Sequence, residues 1–175
     1  MRRLSPWAVL LSAPLAIHAY GEVYLSPSQA CQALFPGGRF GPLQELKLSK
    51  DEVQRIEKAS GVDVREPKLS YFKAGGGGLV MVDRVLGKHD FITFALGLDA
   101  GGKVAGVEIL EYKETYGGQV RNAQWRDQFK GKGPGDPVTV GRDIRNISGA
   151  TLSSTHISRG VRRLLEAYAV VHGRL

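Results

Sequence analysis

Past the first twenty residues, the pattern of apolar and polar positions divides the chain into zones of different period. The first zone is helical. Ser26, Pro27 and Gln29 supply a hydroxyl N-cap, a proline in the first turn and a Gln three residues on, and the helix they start runs to about Phe35, before Pro36-Gly37-Gly38. A second start is set by Ser49 and Glu52 as a capping box, with Leu48 and Val53 as a hydrophobic staple. Val53 and Ile56 then face a core, and Gly61 ends the helix.

The period next shortens to that of strands. Lys68 to Lys73, Leu79 to Leu86, Phe91 to Leu98 and Val104 to Tyr112 alternate or are rich in β-branched and aromatic residues. Gly75 to Gly78 connects the first two of these strands and lacks the Lys-Ser/Thr of a phosphate loop. Compact turns at Gly87 to Asp90 and Asp99 to Gly102 make the last three strands an antiparallel meander. A short amphipathic helix is expected around Gln119 to Phe129, then a loop from Lys130 to Pro137 and a short strand at Val138 to Val140. A long helix runs from near Leu152 to about Val171, with Ile157, Val161, Leu164, Leu165, Tyr168 and Val171 at helical spacing. The predicted class is α+β: an antiparallel β-sheet covered by helices, with an N-terminal helical extension over residues 22–66 and the sheet-bearing domain over 67–175.

Residues 1–21 read as a secretory signal rather than part of the fold. Arg2 and Arg3 give a positive start, Leu4 to Ile17 an apolar middle, and His18 to Gly21 a small-residue exit. Cleavage after Ala19 and cleavage after Gly21 both fit, and Pro6 and Pro14 argue against a retained membrane anchor. The expected location is therefore the periplasm. Loss of residues 1–21 removes two arginines and no acidic residue, so the formal charge falls from +7 to +5. That excess does not call for nucleic acid as a partner.

Composition narrows the chemistry. The single cysteine, Cys31, excludes an intramolecular disulfide, a CxxCH haem attachment and a four-thiolate iron–sulfur or zinc site. His89, His156 and His172 are scattered without metal-ligand spacing. Ser154 and His156 lack a nucleophile elbow and a third partner, which argues against a hydrolase.

The stretch that carries chemistry is the turn into the long helix. Ser148, Gly149, Ala150 and Thr151, followed by Leu152, Ser153 and Ser154, set small and hydroxyl residues at a helix N-terminus. Free N–H groups and the positive end of the helix dipole make such a place suited to a phosphate. An ordinary helix start with spare hydroxyls has the same pattern, and spacing alone leaves both readings open.

Ser148-Gly149-Ala150-Thr151 with its following serines resembles the flavinylation motif of the FMN-binding domain family. That family includes the C subunit of the sodium-pumping NADH:quinone reductase and the G subunit of the Rnf complex. Two further stretches resemble it in the family's order. Lys113-Glu114-Thr115-Tyr116-Gly117-Gly118 is similar to its Lys-Glu-Thr-Pro-Gly-Leu-Gly segment, and Trp125, Gln128-Phe129 and Gly131-Lys132 are similar to the element that follows. The resemblance implies an FMN-binding domain over 67–175, with FMN esterified through its phosphate to Thr151 by a flavin transferase. Ser148, Gly149, Ala150, Ser153 and Ser154 would surround the phosphate. Glu114, Thr115, Tyr116 and Gly117 would meet the ring, Tyr116 by contact and Gly117 by letting the backbone approach. Ser148, Ser153 and Ser154 are chemically competent hydroxyls too, so the family register alone selects Thr151.

The sequence departs from the family at Arg145, where an acidic residue usually stands six positions before the acceptor; Asp143 lies two residues earlier. The function implied is an electron-transfer flavoprotein rather than a stand-alone enzyme, working with a membrane-bound or periplasmic redox partner. The contrasting reading is a cofactor-free binding module of the same fold, with Arg159, Arg162 and Arg163 recruiting an anionic partner.

Overall fold

The computed structural model describes residues 22–175, so the expected signal at 1–21 lies outside the described residues. The chain runs β1 (Glu22–Val23), α1 (Pro27–Leu34), β2 (Gln44–Lys47), α2 (Lys50–Ser60), β3 (Lys68–Lys73), β4 (Leu79–Leu86), β5 (Phe91–Leu98), β6 (Val104–Tyr112), α3 (Ala123–Arg126) and α4 (Thr151–Val171). The strands form one six-stranded sheet in the order β1-β6-β5-β4-β3-β2, antiparallel throughout. The fold is α+β. The segment 22–66 holds the two expected helices and also gives the sheet both its outer strands, so it is woven into the same unit.

Alternation along the strands sends apolar side chains to both faces. Ile92, Phe94, Leu96 and Leu98 of β5 and Val107 and Ile109 of β6 point into the larger core, beneath α4 and α2. Ala95 and Leu110 point the other way, into a smaller core with Ala30 and Cys31 of α1. Burial of Ile157, Val161, Leu164 and Leu165 anchors α4, at roughly 1.5–3 kcal/mol for each large side chain taken from water. Gly160 sets how closely the helix rests on the sheet: a Cβ there would sit 2.7 Å from Val85 Cγ1 and 2.9 Å from Phe94 Cζ.

The outer edge of β6 is closed by a succession of other segments. Tyr24 N donates to Leu110 O at 2.8 Å, the Arg126 guanidinium donates to Val107 O, and Val104 exchanges hydrogen bonds with Gly131 and Lys132. Exposed strand edges invite pairing with other chains, so this sealing protects the longest strand of the sheet.

Two expectations fail locally. The single helix around Gln119 to Phe129 is three short pieces: a 3₁₀ turn at Gly118–Arg121, then α3, then a 3₁₀ turn at Asp127–Phe129. Asn122 interrupts it, because its side-chain oxygen accepts from Gln124 N at 2.8 Å and restarts the helix. No strand forms at Val138 to Val140; the stretch is irregular and leads into a turn at 141–143. The Asp143 carboxylate accepts from Val138 N and Thr139 N and bends the chain back, leaving Val138 at φ 39° and a lone bridge from Val140 to Ile144.

Candidate functional site

The long helix α4 starts without a side-chain cap. Its N-cap residue is Ala150, which cannot accept a hydrogen bond, and no acidic residue occupies the first turn. Gly149, at φ +81°, turns the chain into the helix, and Ser154 N is the first amide bonded back, to Ala150 O at 2.9 Å. The N–H groups of Thr151, Leu152 and Ser153 therefore point out of the first turn with no carbonyl behind them. Thr151 and Leu152 are exposed there.

Tertiary contacts sort the hydroxyls that spacing left equivalent. Ser153 is buried and its Oγ lies 2.8 Å from Tyr112 Oη. The Tyr112 hydroxyl has one proton, which it gives to Tyr116 O, so Ser153 must donate to Tyr112. Burial also pushes the Tyr112 phenol up from its usual range, against the Ser153 hydrogen bond that lowers it. Ser154 is fully buried, its Oγ within hydrogen-bond reach of Asn146 Oδ1 (3.2 Å) and Thr151 O (3.1 Å). Ser148 and Thr151 remain exposed, and of these only Thr151 stands on the helix. Asn146 Nδ2 donates to Thr151 Oγ1 at 3.0 Å, which fixes the oxygen while leaving its own proton outside that bond.

The loop after β6 lies against this helix start. Tyr112 joins the two, through Tyr116 O on the loop and Ser153 on the helix. Gln119 Nε2 is 3.8 Å from the point a Cβ on Gly149 would occupy. Tyr116 is 83% exposed, and Thr115 is exposed as well. Two members of this loop have structural tasks of their own. Gly117, at φ +94°, has no room for a Cβ, which would lie 2.5 Å from Tyr112 Oη and 2.7 Å from Ser153 Oγ. The close approach at Gly117 thus serves the joint between loop and helix. The Glu114 carboxylate is engaged by the turn between β4 and β5, accepting from His89 N at 2.6 Å and Asp90 N at 3.1 Å.

A further layer holds the approach to Thr151. Trp125 Nε1 donates to Arg145 O at 2.8 Å, and Gln128 Oε1 accepts from Arg145 N at 2.8 Å. Trp125 also meets Phe129 edge-on at 5.1 Å in the core, which accounts for their i, i+4 spacing as packing. Lys132 pairs with Asp143 at 2.8 Å. Partial burial penalises the Asp143 charge, but Lys132 and the amides of Thr139 and Val138 prevail and hold its carboxyl below the usual range. Asp143 is thus bound into the preceding turn, while Arg145 is exposed with its Nε 3.3 Å from Gln128 Oε1.

Sequence reasoning missed Asn146 and Tyr112. Nothing in the local pattern marks either: Asn146 matches a glycosylation sequon, and Tyr112 reads as the last residue of a strand. The three arginines of the contrasting reading differ in how they are engaged. Arg162 donates to Pro137 O and Thr139 Oγ1, Arg163 pairs with Asp83, and Arg159 is exposed. Among the described residues no three His, Cys, Asp or Glu side chains gather as a metal site, and no helix is long and apolar enough to cross a membrane.

A search of curated proteins finds no match. The model of one family, the FMN-binding domain, matches residues 87–166. The matched stretch runs from the turn before β5 into α4 and takes in both the loop after β6 and Thr151. Over this stretch the chain is similar to an FMN-binding domain.

Proposed function

We propose that Thr151 holds FMN through a phosphoester and that the exported protein relays electrons between this flavin and a membrane-bound or periplasmic partner. The observation that carries the proposal is the exposed Thr151 hydroxyl on the uncapped first turn of α4, within the stretch matched by the FMN-binding domain family.

The residues present suit a phosphate. Three outward N–H groups and the helix dipole stabilise an anion next to Thr151 Oγ1. Asn146 holds that oxygen in place, and a Cβ on Gly149 would meet only Gln119 Nε2 at 3.8 Å, so the approach to the turn is open. Tyr116 and Leu152 offer exposed apolar surface for a ring, at 83% and 50% exposure. When bound, FMN supplies one- and two-electron chemistry. The chain's part is to fix the phosphate, seat the ring and leave it accessible to a partner. Attachment forms one Thr151 Oγ1–phosphorus bond, with loss of the hydroxyl proton and of the leaving group on an activated FMN donor. The net gain is FMN less one water.

Intact mass tests this after co-expression with a flavin transferase and export. Wild type and Ser148→Ala should gain that mass, and Thr151→Val should stay at the bare polypeptide mass with an unchanged circular dichroism spectrum. Equal labelling of Thr151→Val would move the attachment elsewhere. An unlabelled wild type, with a transferase shown to work on another substrate, would overturn the covalent reading. The exported form should begin near Tyr20 or Glu22 by N-terminal sequencing, and an N-terminus at Met1 in the envelope fraction would contradict export.

A further inference from the structure

Strand β4 pairs with β3 from Leu79 to Val82, but from Asp83 to Leu86 its only strand partner is β5. Arg84 N, left without a strand carbonyl on that side, donates to Asp83 Oδ1 at 2.8 Å. Where β4 outruns β3, two cavities open, of about 490 Å³ and about 140 Å³. None of the residues assigned to the flavin lines either one. The larger is walled by Leu48, Ile56, Leu69, Leu164 and Ala167, all buried, and falls within the roughly 300–1,000 Å³ usual for small-molecule sites.

Arg65, Arg84 and Arg163 line both cavities, which puts all three where the two adjoin. Arg84 pairs with Glu66 and lies 4.7 Å over the Phe91 ring, and Arg163 pairs with Asp83. Arg65 is exposed and has no ion-pair or hydrogen-bond partner among the described residues. Arg159, exposed on the smaller cavity, likewise has none, and His156 Nδ1 on the same wall is buried without a hydrogen bond. Together with Lys68, which pairs with Glu45 at 2.7 Å, the two linings carry five positive charges against Asp63, Glu66 and Asp83, and Glu45 stands behind Lys68. Positive charge thus exceeds negative beside an apolar chamber.

We propose that this is a binding site for a free amphipathic anion, its carboxylate or phosphate head among Arg65, Arg84 and Arg163 and its apolar body against Leu48, Leu69 and Leu164. The charge surplus selects an anion over a cation, because a desolvated ammonium among arginines would be repelled. The apolar wall selects an amphiphile over a bare inorganic anion, since burying the body supplies favourable free energy that a small ion lacks. The site is separate from the flavin site and does not rest on the reading of Thr151.

The test is a titration of the exported chain with sodium decanoate, followed through backbone amide shifts. Saturable shifts should centre on Val64, Leu69 and Leu164, while decyltrimethylammonium should give none. Arg65→Gln touches no described partner and should weaken decanoate roughly five-fold, the scale of one exposed ion pair. Ala167→Phe fills the chamber from its wall and should abolish binding; Val64→Trp is the substitute if that variant does not fold. The proposal is overturned by an absence of saturable shifts up to about 1 mM decanoate. It is equally overturned by shifts centred on Thr151 and Tyr116, by equal binding of the cation, or by an unchanged affinity in Arg65→Gln. Sedimentation with phosphatidylglycerol vesicles separates the two sources of such a head group, and a chain that pellets with vesicles yet ignores decanoate would also reject it.

Discussion

Two helices of this molecule begin in opposite ways. At the start of α2, Ser49 Oγ accepts from Glu52 N at 3.2 Å and Glu52 Oε2 accepts from Ser49 N at 2.7 Å. Asp51 and Glu52 complement the helix dipole, and Arg174 pairs with Glu52. At the start of α4, Ala150 offers no side-chain acceptor and the first turn holds no acid. The difference follows from what else holds each helix. α2 buries two of its 11 residues and depends on its cap, whereas α4 buries ten of its 21 and is kept in place by packing. A helix so anchored tolerates open donors at its start, and those donors are what an incoming phosphate would use.

The largest effect should come from the joint that orients the open end. Gly117→Ala places a Cβ against Tyr112 Oη and Ser153 Oγ and strains a residue at φ +94°. It should cost about 2 kcal/mol, seen as a fall of roughly 4–8 °C in the thermal midpoint. A midpoint within a degree of wild type would mean that the loop and α4 are not tied through this contact.

Next comes the sealed end itself. Ser49→Ala should cost about 1 kcal/mol in urea unfolding, as loss of a hydroxyl cap generally does. The reciprocal change, Ala150→Ser, should give no matching gain. Ala150 sits at ψ 26°, whereas Ser26 and Ser49 cap at ψ 159° and 164°, so a hydroxyl at position 150 would not be aimed at the first-turn amides. A gain near 1 kcal/mol would make α4 an ordinary helix that merely lacks its cap.

The contrast between these two ends also marks what the sequence could convey. The capping boxes at Ser26 and Ser49 are local, lying within four residues, and they form as read. The bounds of β3 to β6 follow from strong alternation over six to nine residues. Strand β2 is only Gln44–Lys47, too short and too polar for its period to stand out, and it exists because β3 offers an edge. At the site, the hydroxyl-bearing turn was legible but the ranking of its hydroxyls was not. That ranking depends on Tyr112, 41 residues from Ser153 in the chain, and on Asn146 folding back over Thr151 and Ser154. Asp143 is likewise decided by a distant partner, since Lys132 takes its carboxylate and leaves Arg145 as the exposed charge near the turn.

Attachment of FMN should narrow the difference between the two helix starts. On the proposed reading, a phosphate on Thr151 would sit at the positive end of α4 and should add about 0.3–1 kcal/mol, or roughly 1–4 °C, at low salt. The gain should shrink in 0.5 M NaCl, where the Debye length falls to about 4 Å. Comparing flavinylated and unmodified protein at two salt concentrations checks it; a shift independent of salt would assign the stabilisation to ring packing instead.

The smallest effect expected is in acid, and it separates the two ends by their titration. The hydrogen bond from Arg174, followed by that from Ser49 N, lowers the Glu52 carboxyl from 4.5 to about 2. A carboxyl depressed by folding stabilises the protein above its unfolded value, and that contribution is lost as pH falls from about 4.5 towards 2. Arg174 is half exposed, so solvent screening limits the effect to about 1 kcal/mol or less. Wild type should therefore lose more stability than Glu52→Gln between pH 5 and about 2.5 in urea unfolding, because the other carboxylates titrate alike in both. The first turn of α4, with no acid of its own, adds nothing to this window in the unmodified protein. Parallel pH profiles for wild type and Glu52→Gln would show that the cap of α2 holds by geometry alone, with no contribution from the charge of Glu52.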